Sequence, residues 1–600
     1  MLVSAVVLAL VDCWQVALRA PGSLTAASVS WLLGLYLAAT GVATLVLAGV
    51  LRRSRGTTRA AILAAGGCLF VVETWLRALT PLSPWRPWMV AGCIAAAALA
   101  FVPLRAVCAR RVPVSVAVIG LALLAVGAFG AVRPLAGTRP PGTSGPAPDR
   151  ELPSFLVIVI DTLRADHLGC YGYGRPTSPA LDRLAGEGTL FERAFAQSSW
   201  TKPSTASLFT GRFPVQHQTL YERSRIPDAE LTIAELLAAN GYRTAVLSGN
   251  PWVTPEYGFD QGVSDFYSLY DERFTRVTLF MTVLKRLSQL PGGRMQVYNR
   301  VKYLVLGELS TTARDTRLVD EAERWLAAHH DRPFFLYVHM MSPHHPYDPP
   351  PPFDRFVPDR SHAPVKNYPR KSYLFFEEGE PLPAADLADL VARYDGDVLY
   401  ADTEVGRLLA ALDRLGLART TAVVVTADHG EEFYDHRNWG HGQSVYNELI
   451  HVPLLLRYPA HAAAGARVAT PVMHVDLLPT LLGLARIPLP PAAAGIGTSL
   501  LSPPQERDDV LSQLIYRYGE ADALVTGGRA LVAMRRGDDE RSVAYDLTTD
   551  FGEQHGLPAP PDRLRALAEL RRRLEGTRSA ASESSDDADR DRLKALGYAE

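Results

Sequence analysis

Ser154-Phe-Leu-Val-Ile-Val-Ile-Asp161 is a short, mostly apolar run, rich in β-branched residues, that ends on a carboxylate. A run with no polar alternation is how a strand reads when both its faces are buried, as at the centre of a parallel sheet. Outward from it the same pattern recurs. Residues 231–240 read as an amphipathic helix closed by Gly241, and 243–247 as the strand after it. Helical 318–329 leads into strand 333–339, and helical 403–415 into strand 421–426. Helix-then-strand units in series predict an α/β domain with a doubly wound, mostly parallel sheet. Such sheets bind ligands beyond the carboxyl ends of their strands. Asp161, His339 and Asp428 stand at or near such ends, so distant parts of the chain should meet there.

At 600 residues the chain is too long for one core. A net charge of −2 gives no global basic field, and no nucleic-acid partner is expected. The apolar residues are concentrated at 1–133, in runs at 2–18, 27–51, 60–79, 88–104 and 112–132. Crossing a bilayer takes about 20 residues, so five spans are expected, with a lipid bilayer as partner. Arg52, Arg53, Arg55 and Arg59 follow the second run, and Arg105, Arg110 and Arg111 the fourth. The positive-inside rule then puts the N-terminus in the cytoplasm and everything after residue 132 on the periplasmic or extracellular side of the cell membrane. A cleaved signal peptide is the rival for 2–18, opposed by the lack of a basic n-region and by Asp12. Asp12 and Glu73 lie within spans; they are either hydrogen-bonded acids of the helix bundle or a polar notch for a lipid headgroup.

Residues 134–150 are rich in Pro, Gly, Ser and Thr and read as a linker. A catalytic domain over 151–500, a C-terminal subdomain over 501–575 and a polar tail over 576–600 follow. The segment 273–309, with Lys285, Arg286, Arg294, Arg300 and Lys302, reads as two amphipathic helices broken at Pro291-Gly-Gly293. They pack on their own domain or, as the minority reading, rest on the membrane surface. Cys170 is the only outer cysteine, so no internal disulfide is expected there.

The chemistry centres on Ser198-Ser-Trp-Thr-Lys-Pro-Ser-Thr-Ala-Ser-Leu-Phe-Thr-Gly-Arg212. Thr201 precedes an expected helix start with Pro203 in the first helical position and Ser204 and Thr205 in the first turn, where free N–H groups would hold an anion. Asp161, Asp428, His429 and the Thr201 oxygen suffice for one divalent cation. Calcium, magnesium, manganese and zinc all suit such donors, the mixed set leaning to manganese or zinc. The ion would lower the pKa of the Thr201 hydroxyl and neutralise an ester oxygen. Among the loop histidines, His344 and His441 are the candidates for protonating a leaving group, with Lys202 for binding the anion. His339 and His345 are expected to be structural.

Asp161-Thr-Leu-Arg-Ala-Asp-His-Leu-Gly-Cys-Tyr-Gly172 resembles the opening metal motif of the sulfatases, a branch of the alkaline phosphatase superfamily. Thr201-Lys-Pro-Ser-Thr-Ala-Ser-Leu-Phe-Thr-Gly211 is similar to their nucleophile motif, C/S-x-P-S-R followed by L-T-G. Ser342-Pro-His-His-Pro-Tyr347, Ala427-Asp-His-Gly430, His451-Val-Pro-Leu454 and Val475-Asp-Leu-Leu-Pro-Thr480 resemble later blocks in the same order, and Tyr545-Asp-Leu547 with Glu553 the C-terminal subdomain. The resemblance implies one bound metal, Thr201 in the nucleophile position, and Asp161, Asp428 and His429 as ligands.

The departures are chemical. Sulfatases oxidise a Cys or Ser to formylglycine, a route closed to Thr201 by its β-methyl group. Thr162 replaces the family's second aspartate and Thr205 its motif arginine, a bidentate donor. A threonine nucleophile occurs in relatives that transfer phosphoethanolamine or glycerol phosphate and that also have five spans before an outer catalytic domain. The expected activity is therefore transfer or hydrolysis of a phosphate ester through Thr201, on a substrate that could be lipid-linked. Sulfate ester hydrolysis on an envelope or extracellular glycan and a non-catalytic envelope protein are the alternatives.

Overall fold

The computed structural model describes residues 152–221, 224–269, 311–358, 381–459, 462–491, 497–502, 507, 510–516 and 519–578. The five apolar runs with Asp12 and Glu73, the linker 134–150, the basic segment 273–309 and the tail beyond 578 lie outside these residues. Among the described residues no helix is long and apolar enough to cross a membrane.

Eight strands form the main sheet: β1 Ser154–Ile160, β2 Thr189–Phe191, β3 Arg243–Ser248, β4 Asp265–Ser268, β5 Phe334–Met340, β6 Thr421–Ala427, β7 Leu454–Arg457 and β8 Ala466–Val468. Their order is β8-β2-β7-β6-β1-β5-β3-β4. β1 is central and parallel to β5 and β6, and β3 is parallel to β4 and β5. β7 runs antiparallel to both its neighbours, β6 and β2. β1, β5 and β6 are buried at every position, which is why they read as continuous apolar runs.

The expected helices are present, the first shorter than its pattern and the other two extended upstream. Ile233–Ala239 begins in a capping box, Thr232 Oγ1 accepting from Glu235 N–H while the Glu235 carboxylate accepts from Thr232 N–H. Thr311–Ala328 and the 31-residue Ala384–Arg414 extend upstream of the 318–329 and 403–415 patterns. The part of the long helix upstream of residue 403 buries Asp395, Asp397 and Asp402, so polarity hid a segment that packing includes. The Asp402 carboxylate accepts from the Ala180 and Leu181 amides, which offsets the cost of its burial.

Downstream, strands β9 Val510–Tyr516, β10 Gly519–Thr526, β11 Arg529–Arg536, β12 Asp539–Asp546 and β13 Leu557–Pro558 make an antiparallel sheet in chain order, followed by the helix Pro561–Glu575. It docks on the segment leading to Thr201: Gln513 N–H donates to the Gln197 carbonyl at 2.8 Å, and Ser512 Oγ to the Ala196 carbonyl at 2.6 Å. A second tie uses His436, whose Nδ1 is 2.8 Å from Glu448 Oε1 and whose Nε2 is 3.0 Å from the Glu553 carbonyl. Burial lowers the His436 pKa, but the Glu448 hydrogen bond and charge outweigh it and lift the value to about 9. Burial, then Glu448, lifts the Glu553 carboxyl to about 8. Both groups hold protons in the native state that the unfolded chain releases above its ordinary His and Glu values, so their contribution is lost as pH rises through 8 and 9. The unfolding midpoint should fall by about 5 °C between pH 7 and 9.5, and calorimetry should show a smaller fall in His436→Gln.

Candidate active site

Ile160 pairs with Met340 on one side and Ala427 on the other, so Asp161 and Asp428, the next residues, leave adjacent strands at the same edge. His339 lies in register with Val159 and with Ser248, and Asn250 follows two residues beyond the end of β3. Thr201 opens the helix Thr201–Thr210, every residue of which is buried. Pro203 was expected in the first helical position and occupies the third. The extended Trp200 is the cap, and no first-turn amide needs an intrahelical partner, so proline is tolerated there. Three polar side chains lock this helix: Ser204 Oγ donates to the Asp428 carbonyl at 2.5 Å, Ser207 Oγ lies 3.0 Å from His217 Nε2, and Thr210 Oγ1 donates to the Ala206 carbonyl.

Asp161 Oδ2 accepts from Asn250 Nδ2 at 2.5 Å, and Asp428 Oδ1 accepts from the amides of Thr162 and His429. Asp161 Oδ1 and Asp428 Oδ2 are buried without a hydrogen-bond partner. His429 Nδ1 is 2.8 Å from the Gly430 carbonyl, an acceptor only, so Nδ1 carries the proton and Nε2 presents a lone pair. That Nε2 is 3.5 Å from Asp428 Oδ2, 3.9 Å from Asp161 Oδ1 and 3.4 Å from Thr201 Oγ1. Asn250 Nδ2 also donates to Thr201 Oγ1 at 3.4 Å. Burial, and then the Asp428 charge, push the Asp161 carboxyl far above the usual carboxylate range. Two bare carboxylate oxygens in a buried space are costly without a counter-charge. The donor atoms of Asp161, Asp428 and His429 all lie within 4.8 Å of one another, which fits one divalent ion. The Thr201 oxygen shares that space.

Of two further residues at this edge, His339 was placed there with Asp161 and Asp428 by its strand end, and Asn250 escaped the sequence. His339, expected to be structural, directs Nε2 at both carboxylates, 3.6 Å from Asp161 Oδ2 and 3.8 Å from Asp428 Oδ2, while Nδ1 meets the Tyr337 hydroxyl at 2.8 Å. Burial lowers its pKa to about 4, so the ring is neutral. Asn250 sits in no motif; its position two residues past a strand was the only signal. Thr162 turns the chain away from β1 at φ +57°, strained for a β-branched residue by roughly 1–3 kcal/mol. Its carbonyl accepts from the Tyr394 hydroxyl, and its amide is held by Asp428.

The predicted His344 and His441 come together over this floor. The His441 ring centre is 4.5 Å from that of His429 and 5.1 Å from that of His344. Burial, then His345 and His441, hold the His344 pKa well below its ordinary value. The loop carrying His344 is fixed by Asp315, whose carboxylate accepts the Met341 and Ser342 amides at 2.8 and 2.7 Å. His345 is exposed and stacks on His344. His441 Nδ1 is 2.9 Å from Glu431 Oε1, and Glu431 Oε2 accepts from the Tyr347 hydroxyl at 2.9 Å. Glu431 was visible only as one of two adjacent glutamates, and nothing in the sequence says which faces the histidine.

Lys202 departs from expectation. Its buried ammonium donates to the Ser224 carbonyl at 2.9 Å and lies 4.1 Å from the ring centre of Tyr257 and 5.1 Å from that of Trp252. These contacts make it an anchor for the turn at Ser224, with cation–π attraction holding its charge. Cys170 is a half-buried thiol, its pKa raised to about 12 chiefly by that burial.

The sulfatase family profile matches residues 153–487, more than half of the chain. The chain belongs to the sulfatase family. A second profile, the C-terminal region of N-sulphoglucosamine sulphohydrolase, matches 431–579. Human arylsulfatase A is 29% identical over 483 residues, covering 70% of this sulfatase-family chain and 87% of the relative. Human iduronate 2-sulfatase is 28% identical, covering 63% and 77%. Among solved structures, the phosphonate monoester hydrolase of Agrobacterium radiobacter superposes with a TM-score of 0.53 at 21% identity, covering 71% of this chain and 95% of that one. A protein solved with D-glucosamine-2-N,6-O-disulfate gives 0.55 at 18% identity, covering 72% and 99%. At these identities the solved structures speak to the fold, which is the alkaline phosphatase-like α/β arrangement expected for this family.

Proposed function

We propose that this sulfatase-family enzyme is membrane-anchored through residues 1–133 and cleaves or transfers a phosphate ester outside the cytoplasm through a covalent Thr201 intermediate. One observation carries the proposal: the Thr201 alcohol lies 3.4 Å from His429 Nε2, beside two carboxylates whose bare oxygens call for a divalent ion. Asp161, Asp428 and His429 would hold that ion, and when bound it stabilises the Thr201 alkoxide and the ester's negative charge. Asn250 orients the Thr201 oxygen. The Thr201 hydroxyl proton passes to water as the alkoxide forms, that oxygen forms a bond to phosphorus, and the ester P–O bond breaks. His441 Nε2–H gives its proton to the departing oxygen, and Glu431 on Nδ1 stabilises the imidazolium beforehand. His344, held neutral, binds the ester or the leaving group by hydrogen bonding. Water, or an acceptor alcohol of an envelope glycan or lipid-linked substrate, then attacks phosphorus and gives its proton to His441, while the bond from phosphorus to the Thr201 oxygen breaks.

The names of the relatives favour a second activity, sulfate ester hydrolysis. Against it stands the side-chain chemistry: Thr201 cannot become formylglycine, so a sulfo-threonine would need a second attack at sulfur. Incubation with an aryl phosphodiester and with an aryl sulfate, followed by accurate-mass peptide mapping, separates the two. A phosphoryl adduct on Thr201 is expected; a sulfo adduct with turnover of the sulfate would reverse the assignment.

General-acid action by His441 has its own signature. His441→Ala should slow alkyl ester cleavage by about 10²–10³-fold while costing p-nitrophenyl esters less than about tenfold, because a good leaving group needs no proton. Glu431→Gln should show the same leaving-group dependence at smaller amplitude. Equal losses on both substrates would assign the pair to folding.

A further inference from the structure

We infer that Arg164 is a positioning residue for the proposed acid: its guanidinium straps the segment that carries Glu431 to the end of β1, and so sets where Glu431 holds His441. The inference rests on the reading of His441 as the proton donor and adds to it a residue outside the reacting centre. Arg164 lies in the turn that leaves β1, three positions after Asp161. The Tyr394 hydroxyl closes that turn from the long helix, accepting from the Arg164 amide at 2.9 Å and donating to the Thr162 carbonyl at 2.8 Å. From there the Arg164 side chain, only 8% exposed, reaches across to residues 431–435, beyond the end of β6.

Every guanidinium N–H has an acceptor. Nε and Nη2 donate to the two Asp166 oxygens at 2.9 and 2.8 Å, and Nη1 and Nη2 to the two Asp435 oxygens at 3.0 and 3.2 Å. The second Nη1 proton goes to the Glu431 carbonyl at 3.0 Å. Asp435 Oδ2 also accepts from the Phe433 amide at 2.8 Å, so one planar fork fixes residues 431, 433 and 435 together. The buried Glu431 is thereby held at both ends, its carbonyl by Arg164 and its carboxylate between His441 and Tyr347. Stability alone does not call for this arrangement. Asp166 is exposed and Asp435 half-buried, and ion pairs open to water contribute only about 0–1 kcal/mol each. A lysine ammonium would keep the charge but has no fork to join two carboxylates and a carbonyl. What the fork supplies is placement, and a general acid misplaced by about 1 Å can lose about 100-fold in rate.

The test uses the full-length protein in detergent, assayed on an alkyl and on a p-nitrophenyl phosphate ester. Arg164→Lys should lower kcat for the alkyl ester by about 10–30-fold with KM within about threefold, and cost the p-nitrophenyl ester less than about threefold. Asp435→Asn, which keeps the guanidinium but frees one side of the fork, should show the same pattern at smaller amplitude. In a Glu431→Gln background, Arg164→Lys should add less than about threefold to the alkyl ester loss, because both changes act through the same imidazole. Equal losses on the two esters, or losses that multiply in full in the double variant, would overturn the inference. Where Arg164→Lys does not fold, Asp435→Asn decides by the same comparison of esters. Leaving-group dependence in His441→Ala but in neither the Arg164 nor the Asp435 variant would remove this inference alone. Its absence from His441→Ala would remove the acid assignment and this inference together.

Discussion

Thr201→Ala is expected to lower kcat/KM for phosphate esters by at least about 10⁴-fold while leaving the fold and the metal content intact. The size follows from what is removed. The alcohol is the sole atom proposed to bond to phosphorus, and the alanine variant keeps the carboxylates, His429 and the buried helix Thr201–Thr210. Thr201→Ser supplies the control, because it restores the oxygen and loses only a methyl group; it should retain activity within about tenfold. Steady-state kinetics with a circular dichroism check distinguishes this from misfolding. A serine variant as dead as the alanine one would show that the position matters for packing, since Thr201 is 3% exposed, and would remove the nucleophile assignment.

Asp428→Asn should move activity and stability in opposite directions. In the stripped protein, Asp428 Oδ2 is buried without a hydrogen-bond partner and its charge repels that of Asp161, so removing it should stabilise the fold by roughly 1–3 kcal/mol. The asparagine oxygen can still accept the Thr162 and His429 amides that Asp428 Oδ1 accepts now. In zinc or manganese the order should invert: the wild type gains stability from the bound ion and the variant gains far less. Activity should fall by about 10³-fold or more, because the charge that activates Thr201 is lost. Thermal unfolding of both proteins, with and without a metal ion, reads out all four corners of this comparison. An unchanged stripped-state midpoint would mean that the carboxylate pair is already neutralised by a proton.

The contrast between what the chain announces and what it conceals follows from the range of the forces involved. β1, β5 and β6 were readable because burial on both faces writes an unbroken apolar run. Asp161 and Asp428 were readable because each terminates such a run, and the register of Ile160 with Ala427 then brings them side by side. His339 was placed at the same edge and read as structural for a related reason. It lies inside β5, where a histidine normally reads as a satisfied core residue, and only the neighbouring strands decide that its ring meets two carboxylates. Lys202 was misplaced because adjacency to Thr201 in sequence says nothing about where a long side chain ends on a helix start. Its ammonium is captured by Ser224, Tyr257 and Trp252, residues 22 or more positions downstream. Glu431 and Asn250 act through pairings across long stretches of chain, to Tyr347 and to Asp161, that no local pattern encodes.

Anomalous diffraction from crystals grown with manganese or zinc tests the central claim most directly. One strong peak is expected within bonding distance of Asp161, Asp428, His429 and the Thr201 oxygen. A peak elsewhere, or that oxygen turned from the two aspartates, would contradict it.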